Sequence, residues 1–324
     1  MKREKLLEVN NLRVVFSTHT AEVEAVKGID FCLYKGETLG IVGESGAGKS
    51  TVGLAVIGLH AFSPGAVLSG SIFYDGEDLI KKSESHLQAL RGARIAMVFQ
   101  DPFACLNPTM KIGRQVTEVL RFKKGFSWKE AKLDAAVLLK DAAIHEPHRL
   151  MQMYPHQLST GMLQRIALVM ALACGPELLI ADEPTSALDI TTLWQTLEII
   201  ENSKDKFGTS IIFLTHNLAV AAGFCDRVLV MYGGKVVEEG PAEAVFSLPM
   251  HPYLRKLVSS IPGTSRYDRR HALSWAGHIQ VQPTACVYYA HCHERLSLCQ
   301  ENQPGIFNVA SGHYVSCWLY GVDL

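Results

Sequence analysis

The run Gly43-Glu44-Ser45-Gly46-Ala47-Gly48-Lys49-Ser50-Thr51 constrains this chain more than any other stretch. It follows the apolar segment Leu39 to Val42 and precedes the apolar segment Val52 to Leu59, so strand, glycine loop and helix are predicted in that order. Gly43, Gly48, Lys49 and Ser50 satisfy G-x-x-x-x-G-K-[ST] position by position. Glycines let the backbone curl until successive N–H groups point inward, and the helix that follows adds the positive end of its dipole. A concavity lined this way takes phosphate. Lys49 is placed to reach the β- and γ-phosphates, and the Ser50 hydroxyl to ligate Mg²⁺. The chain is predicted to bind a nucleoside triphosphate.

With 324 residues, 48% apolar and 19% charged, the chain reads as globular with room for two domains. Basic and acidic residues balance at 31 against 32, which gives no electrostatic footprint for nucleic acid or for an anionic membrane surface. No apolar run reaches the roughly 20 residues that a bilayer crossing needs. Met1-Lys2-Arg3-Glu4-Lys5 is basic but leads into the mixed segment Leu6 to Val15, unlike a signal-peptide core. The expected location is the cytoplasm, with membrane work done through partners.

Residues 6–16 and 23–33 are expected to be strands joined by a turn at 18–22, although the alternation in Leu12-Arg13-Val14-Val15-Phe16 is imperfect. Gly70 to Gly76 and Arg94 to Gln100 are further strands, the second stopped by Asp101-Pro102. From Lys111 to Ile144 the spacing becomes helical, with Val116, Val119 and Leu120, then Ala131, Ala135 and Leu138, on the apolar side; Met162 to Ala173 continues it. Strands return at Glu177 to Glu183, Ser210 to Leu214, Arg227 to Met231 and Lys235 to Val237, with a helix at 190–206. Strands and helices alternating around a phosphate loop predict an α/β core with a mostly parallel sheet.

Asp182 and Glu183 end an apolar strand, where an aspartate can hold Mg²⁺ and a neighbouring carboxylate can deprotonate water. The run Asp182-Glu183-Pro184-Thr185-Ser186-Ala187-Leu188-Asp189 closely resembles the Walker B and D-loop segment of ATP-binding cassette (ABC) ATPases. The phosphate loop, Gln100, Leu158-Ser159-Thr160-Gly161-Met162, Asp182-Glu183 and His216 reproduce that family's motifs in order over roughly residues 6–245. The resemblance implies a P-loop, RecA-like ABC core in residues 1–246, with an antiparallel β subdomain and a helical insert at about 92–165.

It also implies roles. Glu183 would be the general base, His216 the switch histidine and Gln100 the Q-loop residue touching Mg²⁺ beside Ser50 and Asp182. Ser159 and Gly161 would reach across a head-to-tail dimer to a partner's γ-phosphate, and Asp189 would contact the dimer interface. Phe16 stands where the family places an adenine-stacking aromatic, and equally where a strand places a core side chain. Two departures stand out: Thr160 replaces the first of two signature glycines, and Leu163 replaces a common arginine. A β-branched threonine restricts space and backbone, so the composite site built with this signature is expected to be impaired.

Three features resemble the dipeptide/oligopeptide/nickel importer subfamily. They are Gln100 to Pro108, with Cys105 where a serine is usual; His251-Pro252-Tyr253 followed by Ile261-Pro262; and the tail Cys286-x5-Cys292-x6-Cys299-x17-Cys317, read as a C-terminal domain over 247–324. Cys32, Cys105, Cys174 and Cys225 are scattered and expected to pack as small hydrophobes. Four clustered thiols in a reducing compartment point to metal. They suit a [4Fe–4S] cluster, which some members of the subfamily carry, or a zinc ion that His291, His293 or His313 could join, and a metal-free thiol cluster is the third alternative. The resemblance implies an ATPase subunit at the cytoplasmic face of a bacterial inner membrane, powering import of peptides or a related solute such as nickel. Its partners would be two permeases, a second and non-identical ATPase, and an extracytoplasmic solute-binding protein, with no nucleic acid. The rivals are a soluble ABC ATPase and a metal- or redox-sensing subunit with low turnover.

Overall fold

The computed structural model of the chain describes residues 3–17, 22–59, 65–186, 188–260, 282 and 284–321. The expected turn at 18–22 falls mostly on residues 18–21, Ala187 lies within the D-loop run and Ile261-Pro262 within the tail; all are outside the described residues.

The chain opens with two long antiparallel strands, β1 (Lys5–Ser17) and β2 (Glu22–Tyr34). The poor alternation in β1 has a cause. The register slips between Val9 and Leu12, where Asn11 takes a left-handed φ of 46°. This bulge restores Leu12 and Val14 to the face already occupied by Leu7 and Val9, and all four are buried in one core. Next come β3 (Thr38–Val42), α1 (Lys49–Val56), β4 (Ala66–Tyr74) and β5 (Glu77–Asp78). The first sheet has the order β2-β1-β4-β5.

After α2 (Glu84–Leu90), β6 (Ile95–Val98) enters the second sheet. A helical block follows: α3 (Pro102–Cys105), α4 (Ile112–Lys124), α5 (Trp128–Asp141), α6 (Pro147–Leu150) and α7 (Thr160–Leu172). The helices therefore start at Pro102, because β6 pairs with the core strand after the block. The expected helical run from Lys111 is split by Gly125, whose φ of 71° ends α4, and by the Ser127–Glu130 capping box that starts α5. The block has its own core. Val116, Leu120, Ala131 and Ala135 are buried, with Val119 and Leu138 packed against them. Leu163 is fully buried there too, so its difference from the family's arginine is a matter of core packing.

The remaining elements are β7 (Leu178–Asp182), α8 (Ile190–Phe207), β8 (Ser210–Thr215), α9 (Leu218–Phe224), β9 (Arg227–Tyr232), β10 (Lys235–Pro241), α10 (Ala242–Ser247), α11 (Pro252–Ser259), β11 (Phe307–Ala310) and β12 (His313–Val315). The second sheet runs β11-β12-β10-β9-β3-β8-β7-β6, parallel from β9 to β6. Every residue of β3, β7 and β8 is buried, as expected for parallel strands covered on both faces. The tail does not stand apart. β12 pairs with β10 and extends the core sheet, while Cys286 and Cys299 lie in the same hydrophobic cluster as Val42 and Phe213.

Candidate nucleotide site

Three strand tips converge. β3 feeds the glycine loop, β7 ends on Asp182, and β8 ends on Thr215 with His216 just beyond. Because β3, β8 and β7 are neighbours and parallel, their C-terminal ends lie side by side, where open α/β sheets bind ligands.

Two glycines set the path of the loop. Gly48 has a φ of 101°, and a Cβ there would lie 2.5 Å from the Ala25 carbonyl oxygen. A Cβ on Gly43 would lie 2.3 Å from the Met231 carbonyl oxygen. Gly43 and Ala47 are buried, Ser50 and Thr51 half-buried, and Glu44, Ser45 and Gly46 form the exposed rim. Among the described residues no side chain caps α1, which leaves its first N–H groups to a ligand.

Lys49 is buried and donates to the carbonyls of Gly43 at 2.7 Å and Glu44 at 3.0 Å. Its ammonium lies 3.9 Å from a Glu183 carboxylate oxygen. Burial lowers its pKa, and the charges of Glu183 and Asp182 oppose that shift. The Ser50 hydroxyl donates to Asp182 Oδ1 at 3.0 Å. Burial pushes the Asp182 carboxyl above the ordinary aspartate value, against the pull of that bond.

Glu183 carries a strain that sequence alone does not signal. Its φ is 46°, in the left-handed region that a glutamate seldom adopts, and its N–H is held by the Leu214 carbonyl at 2.9 Å. The turn aims its nearly buried carboxylate back at the loop, and His216 Nδ1 stands 2.8 Å from Oε2. An ammonium, a hydroxyl–carboxylate pair suited to a divalent cation, and a histidine-backed carboxylate thus face one spot. That arrangement can transfer a phosphoryl group to water.

The other predicted residues are placed differently. Gln100 emerges two residues past β6, beside β7, and is exposed. Phe16 is half-buried on β1 and packs on the first core. Ser159 caps α7 by accepting the Met162 N–H, and Asp189 caps α8 by accepting the Thr192 N–H at 3.0 Å and hydroxyl at 2.7 Å. Gly161 abuts Thr192, whose Cγ2 would lie 2.6 Å from a Cβ. Ser159, Thr160, Gly161 and Asp189 therefore share one edge built from two helix starts.

Of the four tail cysteines, Cys286, Cys299 and Cys317 are buried and Cys292 is half-buried. Burial raises the thiols of Cys286 and Cys317 to about 11, with the neighbouring thiols adding to it. Backbone N–H groups of Tyr288, Tyr289, Glu294 and Leu319 are turned on the sulfurs of Cys286, Cys292 and Cys317 and pull the other way. Four sulfurs in one neighbourhood, three of them facing N–H donors, suit thiolate ligation in chemistry. Among the described residues, however, no three His, Cys, Asp or Glu stand in the arrangement of a metal's donor set. His313 is engaged elsewhere, its Nε2 lying 2.8 Å from Glu238 in a buried pair.

A family described as ABC transporter matches residues 26–186, and one described as oligopeptide/dipeptide transporter, C-terminal region, matches 237–299. The oligopeptide transport ATP-binding protein OppD of Bacillus subtilis is 42% identical over 322 residues, covering 98% of this chain and 90% of that protein. The chain belongs to the ABC transporter ATP-binding proteins of the oligopeptide/dipeptide family. The dipeptide transport ATP-binding protein DppD of Bacillus subtilis is 41% identical, over 98% of this chain and 95% of that protein. A dimeric ATP-binding cassette, MJ0796, solved in a post-hydrolysis state with ADP and phosphate, superposes with a TM-score of 0.66 at 28% identity. It covers 73% of this chain and 99% of its own length. This ABC protein is an ATPase. The C-terminal match begins in β10 and stops at Cys299, so Cys317 lies beyond it.

Proposed function

We propose that this chain is the ATP-hydrolysing subunit of an importer for peptides, with a related small solute such as nickel as the variant within the subfamily. The observation that supports it best is the convergence of Lys49, Ser50, Asp182, Glu183 and His216 on one spot, in a chain whose full-length relatives are named for peptide transport. ATP is the substrate, its phosphates held by the N–H groups of Gly43 to Thr51 and by Lys49. Ser50 and Asp182, with Gln100 beside them, would hold Mg²⁺, which neutralises charge on the phosphates. Glu183 accepts the proton of the attacking water, and His216 fixes that carboxylate and reaches the γ-phosphate edge. Lys49 stabilises the charge that builds on the transferred group. Phe16 stacks on the base.

Ser159, Gly161 and Asp189 face outward because they complete the site of a second, non-identical ATPase. Closure of the pair is passed through the helices from Pro102 to Leu172 to two membrane permeases, and an extracytoplasmic binding protein delivers the solute. The subunit acts at the cytoplasmic face of the bacterial inner membrane; among the described residues no helix is long and apolar enough to cross one. The cysteines Cys286, Cys292, Cys299 and Cys317 would hold a [4Fe–4S] cluster, or zinc, which would cross-link the tail.

The test is an affinity pull-down of the tagged chain from detergent-solubilised native membranes without oxygen, followed by metal analysis. Two permeases, a second cassette and a solute-binding protein are expected, with iron and sulfide on the chain. Recovery as a soluble species with ribosomal or nucleic-acid partners would overturn the importer reading.

A further inference from the structure

One peptide of the phosphate loop is held at both ends. Lys49 donates to its carbonyl, that of Gly43, at 2.7 Å, and its N–H, that of Glu44, donates to the Tyr253 hydroxyl at 3.0 Å. Met231 backs Gly43 closely enough that a Cβ would lie 2.3 Å from its carbonyl oxygen. The peptide therefore cannot turn without losing one of the two bonds.

Tyr253 sits 209 residues along the chain from Glu44, on α11, outside every segment that forms the nucleotide site. Its side chain is 1% exposed. The start of α11 is fixed in turn, since His251 Nδ1 accepts the Tyr253 N–H at 3.1 Å and the His251 N–H donates to Glu238 at 2.7 Å. The Tyr253 ring lies 4.7 Å from Tyr232, at the end of β9, and 5.5 Å from Tyr288. Tyr232 and Tyr288 meet edge to face at 5.0 Å. Three rings thus close a triangle between the phosphate loop and the segment from Cys286 to Cys292, in which Tyr288 stands two residues past the first cysteine. Ring packing of this kind transmits displacement, because a close-packed interior has no slack to absorb it.

We propose that Tyr253 is a positioning residue for Lys49 and the phosphate loop, and that Tyr288 makes nucleotide affinity respond to the arrangement of the cysteine segment. Tyr253 touches no reacting atom; it acts by fixing the peptide against which the Lys49 ammonium is held. The inference rests on ATP being the ligand of the loop, whatever solute is moved.

The test uses the assembled transporter. Tyr253→Phe keeps the ring and removes only the acceptor. The KM for ATP is expected to rise about fivefold and ADP affinity to fall by a similar factor, with kcat within about twofold and the melting temperature lowered by no more than a few degrees. A tyrosine that merely filled space would tolerate loss of its hydroxyl with KM and ADP affinity unmoved, which would overturn the proposal. Tyr288→Leu, checked by the same melting measurement, is expected to raise KM on its own and to add nothing in the Tyr253→Phe background. Additive effects would break the link to the cysteine segment. Absence of peptide import by the unaltered complex, with its nucleotide affinities intact, would count against the peptide reading alone.

Discussion

Glu183 shows how one residue combines chemistry and strain. Its left-handed backbone turns the carboxylate inward, where Lys49 and His216 flank it. Strain of this kind persists only where surrounding structure over-determines it, here through the buried strands β7 and β8. Glu183→Gln removes the proton acceptor proposed above and leaves the loop sequence untouched. Phosphate release by the complex is expected to fall on the order of 10²–10³-fold, with ATP affinity retained in equilibrium binding. Loss of affinity in step with rate would assign Glu183 to binding. The residue type and its place after an apolar run were readable from sequence. The φ was not, because it depends on Leu214 holding the Glu183 N–H from another strand.

At the scale of elements, the ends of helices do most of the functional placing. The N-termini of α7 and α8 bring Ser159, Thr160, Gly161 and Asp189 to one exposed edge, with Gly161 against Thr192. Thr160 is exposed at the first helical position, where its branched side chain crowds what approaches that edge. Thr160→Gly is expected to raise ATP turnover of the assembled complex severalfold; an unchanged rate in a phosphate-release assay would mean the threonine is tolerated. The N-terminus of α11 makes a different prediction. His251 is buried as its cap, and burial, with Arg255 nearby, depresses its pKa to about 3 from an ordinary 6.5. A depressed basic group gives stability that is present above the unfolded pKa. The unfolded chain takes up the proton below about 6.5 and the folded chain does not, so stability is lost as pH falls from there toward 3, by on the order of a few kcal/mol. His251→Asn keeps a capping acceptor and has nothing to protonate. Its urea midpoint is expected to depend less on pH across that window than that of the unaltered chain.

On the scale of the whole molecule, the tail is part of the core. β12 adds to β10, and Glu238, 1% exposed on β10, gathers the N–H groups of Met250 and His251 and the imidazole of His313. That one carboxylate joins the ATPase sheet, the start of α11 and the last hairpin. His313→Ala leaves it short of a partner in a buried place, and is expected to cost about 2–3 kcal/mol. A fall in the urea unfolding midpoint measures it, and a midpoint within error of the parent would show the hairpin to be dispensable. The sequence pattern dissolved after about Ser247 because, past the single helix α11, the described residues form short turns and two brief strands, which have too few residues to show a period.

The sequence by itself determined the phosphate loop, the order of strands and helices around it, the carboxylate pair and the family, because each is local: a few residues at fixed spacing, flanked by apolar runs of one period. Tertiary structure alone decided the rest. The Glu183–His216 and Ser50–Asp182 contacts arise because β3, β8 and β7 stand adjacent in the sheet. Tyr253 reaches Glu44, and Glu238 meets His313, across separations of 209 and 75 residues that carry no periodic signal. Such pairings depend on how the sheet is ordered and how the tail folds back on it, which no window of neighbouring residues encodes.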